Sequence, residues 1–197
     1  MAESRETILE KASGLFLARG YGAVGTAEIC RVAGVNKGTL YHFYPTKLDL
    51  LLAAIDRYAE AFRDDFRAIA VSGRPAPEKL KALFGVTARA NQDWKERNGH
   101  AQGCLVGNSV LELGASEEAV RAHAEAAFTS WEREIAPVIE ELQANGQLEG
   151  LDPQRGAAAV IALMQGGLVL AKSRNDPSEI SRLAGAAIGA LTALQSD

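Results

Sequence analysis

The sequence predicts an all-α protein of about nine helices, with a small N-terminal domain over residues 1–48 and a larger helical domain over residues 49–197. Three observations carry this expectation. Alanine and leucine are abundant and β-branched runs are absent, which favours helix over strand throughout. Gly99, Gly103, Gly146, Gly150 and the Asp176-Pro177 pair fall between the periodic segments and punctuate them. Near the N-terminus, one helical segment is followed by two short ones joined by a tight turn.

Taken in order, the first helix is expected over Ser4–Arg19, capped by Ser4, with Ile8, Ala12, Leu15 and Phe16 on one face. Gly20 and Gly22 end it in the left-handed conformation that glycine permits. A second helix runs from about Thr26 to Ala33 and is broken by Gly34. A third starts after Asn36, whose side chain can cap the backbone N–H of Thr39, and ends near Tyr44-Pro45. Thr46 caps a long fourth helix reaching about Val71. The segment Ser72-Gly73-Arg74-Pro75-Ala76-Pro77 reads as a linker, and further helices are expected at 77–97, 104–114, 117–144, 153–173 and 177–194.

Composition narrows the function classes. Hydrophobic residues make up 47% of the chain, enough for a substantial core. No uninterrupted run of about 18 apolar residues is present, so no membrane span is expected. The start Met-Ala-Glu-Ser-Arg-Glu lacks the apolar stretch of a signal peptide, and a cytoplasmic location is the expectation. Two cysteines, Cys30 and Cys104, and three scattered histidines offer no metal or disulfide framework. No phosphate loop or nucleophile elbow appears, so neither a cofactor nor a metal nor catalysis is expected. Net charge is −4, an unpromising balance for a nucleic-acid binder, and residues 1–50 recover only +1 with six Lys/Arg against five Asp/Glu. Any such site has to be found in local pattern instead.

Residues 26–43 supply that pattern. A helix-turn-helix needs two short helices joined by a tight turn, and Gly34 supplies the turn. Ile29, Ala33, Val35, Leu40 and Phe43 are apolar where two crossed helices bury their facing sides, and Cys30 is small where they approach. The opposite face of the third helix carries Lys37, Gly38, Thr39, Tyr41 and His42, which can donate hydrogen bonds or admit a close backbone in a major groove. Lys37, Thr39 and His42 are expected at base edges. Tyr41 and Lys47 are expected at phosphates. A helical triad can also be plain scaffold.

The stretch Ala33-Gly34-Val35-Asn36-Lys37-Gly38-Thr39-Leu40-Tyr41-His42-Phe43-Tyr44-Pro45-Thr46-Lys47 resembles the signature of the TetR family of repressors, and Gly20-Tyr21 and Glu28-Ile29 extend the match. Asn36 stands where the signature has serine, Thr46 replaces serine before the lysine, and Gly25 replaces a hydroxyl residue, so the resemblance leaves Thr26 to supply that phosphate contact. The resemblance implies a DNA-binding homodimer on double-stranded operator DNA, and a C-terminal domain holding a small-molecule effector pocket and the dimer interface.

The C-terminal residues add their own hints. The last two helices are rich in small and apolar residues, including Ala157, Ala158, Ala159, Ile161, Ala162, Gly166, Gly167, Leu183, Ala184, Ala187, Ile188 and Leu191. Helices apolar over most of their circumference need cover on both sides. A four-helix bundle between two subunits would give it, and an internal core is the alternative. Gln102-Gly103-Cys104-Leu105-Val106-Gly107-Asn108-Ser109 resembles a G-C-L-x-G-N element of a TetR subgroup that includes repressors of electrophile- and drug-responsive genes. Cys104 in a first helical turn can have a reactive thiol, with Asn108 on the same face, or it can be a small core residue. Trp94, Phe128, Trp131, Met164 and Gln165 could line an effector cavity or be plain core. Two rival readings remain at this level, a small-molecule-binding helical protein and an enzyme on a helical scaffold, both without regulatory DNA binding.

Overall fold

The structure, a computed structural model, describes residues 2–194, and helices are the only regular elements among them. They are α1 (Ala2–Arg19), α2 (Thr26–Ala33), α3 (Lys37–Phe43), α4 (Lys47–Ala70), α5 (Ala76–Asn98), α6 (Leu105–Leu113), α7 (Glu118–Ala144), α8 (Pro153–Arg174) and α9 (Ser178–Ala193). The chain divides into two compact units. Residues 2–60 and 104–127 form the described part of the first, and residues 61–103 and 128–194 that of the second. The first unit is thus larger than the division at residue 48, because α6 and the start of α7 pack with the N-terminal helices.

Local chemistry explains most boundaries. Gly34 is the left-handed cap of α2 at φ 68°, and its N–H lies on the carbonyls of Arg31 and Cys30. Asn36 caps α3 by accepting from Thr39 N at 2.8 Å. Thr46 and Asp49 cap α4 reciprocally: Thr46 Oγ1 accepts from Asp49 N at 3.0 Å, and Asp49 Oδ2 accepts from Thr46 N at 2.9 Å. Asp152 caps α8 by accepting from Arg155 N at 2.8 Å, with Pro153 at the first helical position. Two expectations fail. Ser4 lies inside α1, which begins at Ala2, so it is not the cap. Gly20 is left-handed at φ 82° but Gly22 is not, because the chain needs only one reversal there.

In the first unit, Ile8, Phe16, Ile29, Leu40, Leu50 and Ile55 are fully enclosed and fasten α1 to α4 around one core. In the second, α9 packs on both α5 and α8. Gly167 of α8 sits so close to α9 that a Cβ would lie 3.2 Å from Ile180 Cα. By length and a mean hydropathy of 1.4, α8 could cross a membrane, although polar residues interrupt its apolar sequence. Its inner face, including Val160, Met164 and Leu168, is buried within the chain, as expected of a core helix.

Candidate nucleic-acid interface

Seven residues of α3 span about 10 Å, roughly three base-pair steps at 3.4 Å each. Its inward face is closed by Leu40, 1% exposed, while Lys37, Gly38, Tyr41 and His42 are exposed and Thr39 half-exposed. The outward face anticipated from sequence is therefore the outward face of the structure. Tyr41 Oη donates to Thr26 Oγ1 at 3.4 Å, tying the first residue of α2 to the middle of α3. The rings of His42 and Phe43 meet edge to face at 5.0 Å, which orients the imidazole.

Lys47, at the first position of α4, is half-buried. Its Nζ donates to Tyr21 O at 2.9 Å and Val24 O at 3.1 Å and lies 3.8 Å from the centre of the Tyr21 ring. Two of the three ammonium protons thus hold the turn between α1 and α2. The same turn is gripped by a residue that the sequence reading missed. Glu112, on α6, accepts from Tyr21 N at 2.9 Å and from Gly22 N at 2.7 Å. Glycine makes room for this carboxylate: a Cβ at Gly20 would lie 2.8 Å from Glu112 Oε2, and one at Gly22 3.1 Å from Oε1. Backbone carbonyls face a cation and backbone N–H groups face an anion, so this turn is pinned by opposite charges on α4 and α6. Burial, then the negative charges of Glu117 and Glu112, hold the Tyr21 hydroxyl pKa above its ordinary value.

The residues considered for effector sensing fall in both units. In the first, Cys104 is the N-cap residue of α6, 3% exposed, its Sγ accepting from Gly107 N at 3.5 Å. Sequence reasoning also missed its neighbour Tyr58. Part of the Tyr58 ring is accessible but its hydroxyl is enclosed. That burial, followed by the charge of Cys104 and a hydrogen bond to it, pushes the hydroxyl pKa well above 10.0, opposed by the Leu105 backbone. Asn108 follows one turn later, half-buried. In the second unit, Trp131 is the hub of an aromatic cluster, its ring 5.5 Å from Phe128, 6.0 Å from Phe62 and 6.1 Å from Phe66. Met164 is buried with its sulfur 3.8 Å from the Thr87 hydroxyl. Gln165 and Trp94 are half-buried, and the Trp94 indole N–H is enclosed without an acceptor.

Comparison with known proteins agrees with this geometry. A model described as "Bacterial regulatory proteins, tetR family" matches residues 8–54, and one described as "Tetracyclin repressor-like, C-terminal domain" matches residues 76–187. The transcriptional regulator AcuR of Cereibacter sphaeroides is 35% identical over 162 residues, 81% of this chain and 73% of that protein. A regulatory protein TetR from Rhodobacter sphaeroides superposes with a TM-score of 0.82 at 28% identity, covering 94% of this chain and 97% of that one. A TetR-family regulator from Agrobacterium tumefaciens has the same fold, with a TM-score of 0.84 at 20% identity and coverage of 97% and 98%. These matches are to regulators and not to enzymes, and the helix-turn-helix described above lies wholly inside the first of them. The chain belongs to the TetR family of DNA-binding transcriptional regulators.

Proposed function

We propose that the protein is a homodimeric repressor in the cytoplasm that binds double-stranded operator DNA and is released from it by a small-molecule or electrophilic effector. The outward face of α3 carries this reading. Lys37, Thr39 and His42 meet base edges, and Gly38 lets the helix approach closely. Tyr41 and Thr26 act together on a phosphate: the Tyr41 hydroxyl donates a hydrogen bond to Thr26 Oγ1, which leaves the Thr26 hydroxyl proton for the phosphate oxygen. Lys47 has one N–H left for a phosphate while it holds the turn. The dimer forms through the outer faces of α8 and α9. Ala162, Gly166 and Val169 leave an open apolar groove there, continued by Leu183 and Ala190, and Val169 is 59% exposed.

Two features support effector sensing in the regulatory region. Gly107 N–H and the Tyr58 hydroxyl both bear on the Cys104 sulfur, which stands at the start of α6. In the second unit, the enclosed Trp94 indole N–H lacks an acceptor, which a carbonyl or carboxylate of a ligand would supply. Footprinting on DNA flanking the gene is the primary test. A protected near-palindrome, lost on adding an effector, is the expected result, and failure to protect any sequence at low salt overturns the reading. Cys104→Ser separates the two sensing modes. With N-ethylmaleimide, wild type should release DNA and the variant should not. Equal release at equal dose removes Cys104 from sensing.

A further inference from the structure

We infer that Thr39 reads the operator only as a hydrogen-bond acceptor, and so contacts an exocyclic amino group, N6 of adenine or N4 of cytosine, in each half-site. The inference rests on the reading of α3 as the base-contacting helix and adds the polarity of that contact. The Asn36 side-chain oxygen accepts from Thr39 N at 2.8 Å. A backbone N–H can only donate, so the atom facing it is the carboxamide oxygen and not the nitrogen. The Thr39 hydroxyl lies 3.2 Å from that same oxygen and can meet it only by donating its single proton. With that proton committed, the outward side of Thr39 Oγ1 offers lone pairs alone.

In the major groove, adenine and cytosine present amino donors, whereas guanine O6 and N7 and thymine O4 are acceptors. An acceptor-only hydroxyl pairs with the first group and opposes the second. Gly38 belongs to the same arrangement: it is exposed, and a Cβ there would lie 3.2 Å from Asn36 Oδ1, so glycine leaves the shared oxygen uncrowded. Asn36 stands where the family signature has serine. Asn36 is a positioning residue here, acting on DNA through Thr39.

The test is selection from a random duplex library by the full-length wild type and by Thr39→Val, Asn36→Gly and Asn36→Asp. Valine keeps the shape and methyl contacts of threonine but has no lone pairs. Wild type should select adenine or cytosine at one position per half-site, with substitution by guanine or thymine costing about 3–10-fold in affinity, the worth of one hydrogen bond. Thr39→Val should lose preference at that position alone. Asn36→Gly keeps a residue tolerated at helix starts but removes the oxygen, so the hydroxyl rotates and guanine and thymine are admitted. Asn36→Asp keeps an acceptor, so affinity for every sequence falls through phosphate repulsion while the preference stays. Duplexes carrying purine for adenine, or 2-pyrimidinone for cytosine, delete the amino group and identify the base: wild type weakens and Thr39→Val does not. The inference is overturned if the position sensitive to Thr39→Val favours guanine or thymine. It is also overturned if no position responds to Thr39→Val, or if the folded Asn36→Gly protein, its helicity checked by circular dichroism, keeps the wild-type preference. In these three cases an operator is still selected and the regulator reading survives. Enrichment of no sequence by wild type defeats that reading itself, and this inference with it.

Discussion

Glu112 and Gly22 stand 90 positions apart in the chain and meet at 2.7 Å. The carboxylate is exposed, so its two charge-assisted bonds are screened by solvent. Glu112→Ala should cost about 1 kcal/mol of stability, read from urea unfolding. A sharper signature is faster hydrogen exchange at the Tyr21 and Gly22 amides, with the Leu40 amide unaffected. Glycines in two other places respond to alanine for opposite reasons. Gly34 has φ 68°, and a Cβ there would have no atom within 4 Å, so Gly34→Ala meets only the left-handed backbone penalty of about 1–2 kcal/mol. Gly156 has ordinary φ, but a Cβ there would lie 2.9 Å from Ile139 Cγ2, so Gly156→Ala overpacks the second unit by about 1–3 kcal/mol. A thermal melt of each variant checks both figures.

Helices α5 and α7 are joined by Lys79, 7% exposed, whose Nζ meets Glu141 Oε2 at 2.6 Å. Glu141→Ala strands a buried ammonium and should cost about 2–3 kcal/mol, less than a fully buried pair because the Glu141 side chain is 35% exposed. Lys79→Met should recover much of that in the double variant, measured by the same unfolding curve. The course of the helices was legible from sequence because caps and breakers act within four residues: Gly34, Asn36 and Thr46 each do locally what their type predicts. The outward face of α3 was legible because the apolar positions fix the inward one. Contacts distant in sequence were not. Nothing near Glu112 marks it as a partner of Tyr21, and nothing near Tyr58 points to Cys104. Nor does anything near Lys47 in sequence reveal that its ammonium reaches back to the Tyr21 and Val24 carbonyls. In α8 and α9, apolarity all round the helix conceals which side faces the chain's own core. Ala157, Gly167, Ala184 and Ala187 turn out to be inside, and Ala158, Ala162 and Gly166 outside.

That sorting decides how the assembly is probed. Ala187 is fully buried within its own chain, so a charge there unfolds the second unit and says nothing about a dimer. Gly166→Asp and Ala162→Glu place a charge in the open groove and should raise the dimer dissociation constant at least tenfold while leaving helicity intact, as sedimentation velocity would show. The protein should also be alkali-labile. Tyr21, Tyr44 and Tyr58 all have hydroxyl pKa values raised above 10.0, chiefly by burial. The unfolded chain ionises these groups near 10.0 while the folded chain keeps them protonated, so their contribution is complete below pH 10 and is lost as pH rises beyond it. Tyr58→Phe should flatten that fall in a denaturation series from pH 8 to pH 11.

The pinned turn at Tyr21–Val24 bears on protein engineering. A chimera could join the N-terminal helices of this chain to the C-terminal domain of another family member, and the obvious splice lies just after Lys47. A splice there would leave Tyr21 and Gly22 amides facing whatever residue the new C-terminal domain carries in place of Glu112, and a donor N-terminal domain with a larger residue than glycine at position 20 or 22 would displace the Glu112 carboxylate from its two amides. Hybrids of this protein should therefore be more stable when Gly20, Gly22 and Glu112 travel together, as a matched lock and key carried across the junction.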